Sequence, residues 1–142
     1  MSEQLRKEDS SNILISYDIA ATQYEMGELY LLLNDYPAAL AAAERTEANC
    51  GAVLEKNPAH TQSKRVTAWS KNLAGSVHAA LAERDNAPEL WRKALENYGA
   101  TRDIYNALKA EGKFAAVDEK KYAALEAAIG VAESKLSAGP IH

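Results

Sequence analysis

From Ile13 to Leu136 the apolar residues return every three or four positions, in five runs separated by Pro, Gly or Asn-Asp breaks. The first run holds Ile13, Tyr17, Ala20, Tyr24, Gly27 and Leu31, a single helical stripe that Leu14, Ala21 and Leu29 widen. It predicts a helix capped by Ser10 or Ser11 and ending near Leu33, after a frayed polar segment over residues 1–10. Asn34-Asp35-Tyr36-Pro37 reads as a turn, with a side-chain oxygen capping the next helix and Pro37 in its first turn. The second helix then spans Tyr36 to Lys56. Gly51 inside it fits either close helix packing or a kink.

Asn57-Pro58 predicts a stop and restart, giving a third helix over Pro58 to Arg84 with Val66, Trp69, Leu73, Val77, Ala80 and Leu81 inward. Asn86 and Glu89 have capping-box spacing ahead of a fourth helix. That helix carries Leu90, Trp91, Ala94, Leu95, Tyr98, Tyr105 and Leu108 and stops at Gly112. A fifth starts between Phe114 and Asp118, with Asp118 as cap and Val117 and Tyr122 as a hydrophobic staple. Its buried stripe is Tyr122, Leu125, Ile129, Ala132 and Leu136, and Gly139-Pro140 ends it. The fold class is all-α: about five helices whose short connections make neighbours antiparallel.

Composition narrows the function more than the fold. At 142 residues the chain is expected to form one domain over residues 11–138, with residues 139–142 as a tail. A net charge of −4 argues against general nucleic-acid binding, and the one basic pair, Lys64-Arg65, reads as a solvated helix face. Cys50 is the sole cysteine, so no internal disulfide forms. The charged N-terminus lacks a signal-peptide core, and no apolar run approaches membrane-span length. A cytoplasmic location with no membrane association is the expectation.

The two hairpins repeat. Gly27 precedes the turn residue Pro37 by ten positions, Gly75 precedes Pro88 by thirteen, and the glycines are 48 residues apart. A tetratricopeptide repeat has about 34 residues. The excess of about 14 is two heptads, so shared between two helices it lengthens both while nearly keeping their buried faces. In detail, Gly27, Tyr30, Asp35-Tyr36 and Ala39 resemble the tetratricopeptide family's small crossing residue, following aromatic, turn and alanine packing. Pro58 stands for the repeat-closing proline, displaced by the lengthening. Departures are Gln23 at an aromatic position, Met26 at a leucine, His78 at a tyrosine and three extra residues in the second turn. The resemblance covers residues 20 to 112.

What the resemblance implies is a right-handed array of antiparallel hairpins with a C-terminal capping helix, acting as a non-enzymatic protein-interaction or scaffold module. Its ligand groove would be lined by Tyr24, Glu28 and Leu31 from the first unit and Trp69, Asn72 and Ser76 from the second. Trp69 would be the best anchor, although Tyr24 and Trp69 suit a core equally well. The family's carboxylate clamp is matched by Asn72 alone. The stretch from Leu90 to Lys113 is similar to long-helix repeat regions that end some bacterial signalling proteins, such as certain serine/threonine kinases. Partners are then another protein or peptide, with a homodimer possible through an exposed apolar face. Two other classes stay open: a helical accessory subunit or bundle holding a small hydrophobic ligand, and a structural homo-oligomer.

Catalytic and metal motifs are missing. His60, His78 and His142 have no second ligand at helical spacing, and no His-Glu-x-x-His, Gly-x-Ser-x-Gly, Glu-x-x-His or phosphate loop occurs. Cys50 has no adjacent base, His78 reads as a packed or rim histidine, and the pairs Glu44/Glu47 and Asp118/Glu119 read as solvated or first-turn acids. No catalytic residue, metal or cofactor is expected.

Overall fold

The chain forms α1 (Glu3–Leu32), α2 (Tyr36–Lys56), α3 (Thr61–Asp85), α4 (Pro88–Ala110) and α5 (Ala116–Ser137). The computed structural model describes residues 3–138, with the side chains of 5–10 excepted. No strand occurs among the described residues, and none of their helices is long and apolar enough to cross a membrane. Each helix packs on the next, and α1 also touches α3.

Three of the four connections use the same stop. Asn34 (φ 60°), Asn86 (φ 51°) and Gly112 (φ 72°) adopt the left-handed conformation. In each case the next residue's N–H reaches back five positions, from Asp35 to Tyr30, Ala87 to Ala82 and Lys113 to Leu108. This closes the orphan carbonyls of a helix end, and Gly and Asn tolerate it best. At the first turn the Asp35 carboxylate also accepts from the Ala38 N–H at 3.2 Å, starting α2 at Tyr36 as expected.

Several sequence expectations are corrected. Helix α1 already runs through residues 3–10, since nothing there breaks a helix before Ser10 and Ser11. Helix α3 starts at Thr61: Asn57-Pro58 forms a turn, and the imidazole of His60 supplies the cap, accepting from the Ser63 N–H at 3.2 Å. Asn86 ends α3 instead of opening α4, whose cap is Ala87. Ala115, not Asp118, caps α5, and Val117 is half exposed. Gly51 is exposed, with open space where a Cβ would stand, so it is no packing contact. Leu14 and Leu29 do not widen the buried stripe; both are 59% exposed. The expected stop at Gly139-Pro140 lies outside the described residues.

Small residues hold the helices close. Ala39, Ala42, Ala43, Ala68, Ala82 and Ala94 are buried. A Cβ on Gly27 would lie 2.6 Å from Leu73 Cδ2 and 3.2 Å from Ala42 Cβ; one on Gly75 would lie 2.6 Å from the Tyr98 ring. At this spacing a buried hydroxyl reaches the neighbouring backbone. Ser70 donates to the Ala43 carbonyl (2.9 Å), tying α3 to α2, and Thr101 to the Ala68 carbonyl (3.2 Å), tying α4 to α3.

Helix α5 is fastened differently. Asp118 is fully buried, and the Nε of Arg65, itself 8% exposed, donates to both its carboxylate oxygens at 3.0 Å. Arg65 also donates to the Lys113 carbonyl (2.9 Å), and Asp118 accepts the Ala115 N–H (2.9 Å). Arg65 is therefore no solvated face; it bolts α3 to the loop and first turn that begin α5. Lys64 beside it pairs with Glu111 at 3.5 Å.

Two expectations follow for urea unfolding. Gly75→Ala drives a Cβ into the Tyr98 ring and should cost about 1–3 kcal/mol, whereas Gly51→Ala should stabilise by up to about 1 kcal/mol. Asp118→Ala strands a buried guanidinium and should cost about 3–5 kcal/mol, with part of the loss restored by adding Arg65→Met.

Candidate functional site

The crossing of α1 over α3 leaves a hollow of about 200 Å³. Positions 24, 28, 31 and 32 of α1 and 72, 73 and 76 of α3 line it, the spacings that place side chains on one helix face. Tyr24 and Leu73 are buried and make the floor, Leu31 is half-buried, and Asn72 and Ser76 add polar groups on the α3 side. Glu28 and Leu32 are exposed at the rim.

Five of the six residues assigned to a groove from the sequence, Tyr24, Glu28, Leu31, Asn72 and Ser76, thus share one surface. The sixth does not line it. Trp69 is half-buried behind Tyr24, with ring centroids 5.6 Å apart and planes tilted by 40°. The Lys121 ammonium stands 4.8 Å from its ring centroid, and its indole Nε1 is buried with no hydrogen-bond partner among the described residues. Trp69 therefore packs beneath the floor, and the apolar side chains that line the hollow itself include Leu31 and Leu32. Leu32 and Leu73 were not expected here; Leu73 sat in the α3 stripe, and nothing in the sequence marked it as reachable from outside.

Burial governs the ionisable groups. It pushes the Tyr24 hydroxyl well above the usual tyrosine range, and the Glu28 carboxylate adds to the effect by repelling a phenolate. Burial likewise raises Tyr17, Tyr98 and Tyr105, as well as the Cys50 thiol. Cys50 is fully buried and protonated, the opposite of an activated nucleophile.

The remaining candidates serve structure. His78 Nδ1 lies 3.0 Å from the Asn97 side-chain oxygen, tying α3 to α4. His60 caps α3 and meets Tyr17 edge-on at 5.6 Å. Glu47 pairs with Lys71 at 3.1 Å, and Glu44 is exposed. His142 lies outside the described residues. Among those residues no group of three or more His, Cys, Asp or Glu side chains converges on a point. Comparison with protein-family models, with curated proteins and with solved structures finds no match.

The raised acids fix a pH dependence. A group whose folded pKa is raised gives its full stabilisation below its unfolded pKa and loses it as pH climbs toward the folded value. The urea midpoint is expected to hold through neutrality and fall above about pH 9, where an unfolded thiol and then unfolded phenols ionise. Tyrosinate absorbance from Tyr24 and Tyr105 should appear only as the chain unfolds; ordinary titration of all seven tyrosines in the folded protein would refute it.

Proposed function

We propose that this chain is a non-enzymatic protein-interaction module of the tetratricopeptide type, holding a short peptide segment in the groove between α1 and α3. The observation that carries the reading is the convergence of Tyr24, Glu28, Leu31, Asn72 and Ser76 on one hollow, because the resemblance to the repeat family implies those same positions. The connectivity also supports it: consecutive helices pack as hairpins, and the first helices of the two units, α1 and α3, meet.

The lining defines the ligand. Leu31 and Leu32 beside Tyr24 offer an apolar seat for one aliphatic or aromatic side chain. Asn72 and Ser76 offer amide and hydroxyl groups to a peptide backbone. Glu28 at the rim favours a Lys or Arg next to the anchor, through a solvent-screened contact that adds specificity more than affinity. A small apolar ligand is less well served, because the hollow opens to solvent along Glu28 and Leu32.

Selection of a displayed random-peptide library on the purified protein is expected to enrich an apolar anchor next to a basic residue. Leu31→Glu and Asn72→Ala should each weaken the enriched peptide about tenfold or more, or at least ~1.4 kcal/mol. Val131→Glu, on exposed α5 surface, should not. Enrichment of no peptide, or affinity unchanged in both groove variants, would sink the reading.

A further inference from the structure

Helix α1 carries a second apolar stripe on the side facing away from the core. Ile15, Ile19, Met26, Leu29 and Leu33 are 57%, 44%, 36%, 59% and 76% exposed. With exposed Thr22 they follow spacings of 4, 3, 4, 3 and 4, the same series as the buried Ile13–Leu31 stripe two positions earlier. Two positions on a helix turn the direction by about 200°, so the two stripes lie back to back. The inward stripe mixes Tyr17, Tyr24 and Leu31 with the small Ala20 and Gly27, while the outward stripe is Ile, Leu and Met with one Thr.

We infer that this outward stripe is a self-association surface, through which α1 packs on α1 of a second copy of the chain. Three observations choose that occupant. Residues 15, 19, 22, 26, 29 and 33, apolar except for Thr22, keep the 4-3 alternation of a two-stranded coiled-coil seam, which a second copy of the chain matches. The area reaches what a dimer needs: the stripe without Leu32 exposes on the order of 500 Å², so a pair buries up to ~1,000 Å², about the least a specific interface requires. The charges disfavour a membrane. The stripe is flanked by Asp18 and Glu25, where a helix lying on an anionic bilayer carries Lys and Arg. A two-fold axis lets the same patch serve both copies, which closes the assembly at two.

The surface leaves Leu32 to the α1–α3 groove and is distinct from it, so the dimer presents both grooves outward.

Sedimentation equilibrium between ~1 and ~100 μM tests the inference. The weight-average mass of the intact protein is expected to rise with concentration from 15.4 kDa toward twice that value. The double variant Ile19→Glu/Leu29→Glu should stay at the monomer mass with unchanged helicity and thermal unfolding, since both positions are exposed in the single chain. A short bis-maleimide linker should join copies of Thr22→Cys but not of Val131→Cys, with buried Cys50 spared in both. A monomer at every concentration, a double variant that still dimerises, cross-linking at Val131→Cys but not at Thr22→Cys, or adsorption of the intact chain to anionic vesicles in preference to itself would each overturn it.

Discussion

How closely the helix backbones approach one another is the constraint on which the rest depends. Gly27 lets α1 settle against Leu73 and Ala42, and Gly75 lets α3 settle against the Tyr98 ring. An added methyl at Gly75 would meet a rigid ring, so α3 and α4 would have to separate. The bonds from Ser70 to Ala43 and from Thr101 to Ala68 exist only at this spacing, and their loss would leave buried carbonyls and hydroxyls without those partners. The α1–α3 hollow is a further consequence. With α1 held by its glycine, Tyr24 and Leu31 stand beside Leu73 and line the hollow of about 200 Å³.

The C-terminal helix is held by other means. Alanine and glycine do most of the work in the first two hairpins, but α5 has Arg65 and Asp118 at its base. Removing two charges from water is costly, and mutual attraction offsets that cost only when the remaining donors and acceptors are also satisfied. Here they are: Arg65 reaches Gln62 and the Lys113 carbonyl, and Asp118 takes the Ala115 N–H. The pair fixes where α5 begins. It also fixes the aromatic group of Tyr105, Phe114 and Tyr122, whose rings meet edge-on at about 6 Å. Lys121 on the next turn then reaches Trp69, which supports the floor of the groove.

Local chemistry made much of this legible in the sequence. Pro37 behind Asp35 set α2 to the residue, and Gly112 set the end of α4, because caps and left-handed stops are decided within a few residues. The two close-approach glycines were legible, and five positions on α1 and α3 share one hollow, because both follow from helical register. Features decided by distant residues were not. Arg65 looked like half of a surface pair because its partner lies 53 residues away. Asn86 serves equally as a helix start or a left-handed stop, and the stop prevailed because its N–H bonds Ala82. Trp69 was read as an anchor on its size, while its depth depends on how α1, α4 and α5 close around it.

Helix α1 shows most plainly where periodicity stops being informative. Two stripes of identical spacing, back to back, give a helix that is apolar on opposite sides and has almost no net amphipathic direction. Periodicity alone cannot choose which stripe faces the core. Packing chose the one with Gly27 and Ala20, because only small residues allow the close approach that α2 and α3 demand. The stripe without small crossing residues was left outside, where its exposed area carries a standing cost in water unless another surface covers it. The close approach therefore needs Ala20 and Gly27 inward among Tyr17, Tyr24 and Leu31, and leaves Ile15, Ile19, Met26 and Leu29 on the far side of α1. The α1–α3 hollow and the exposed apolar stripe thus lie on opposite faces of one helix, whose inward face carries small residues at the crossing.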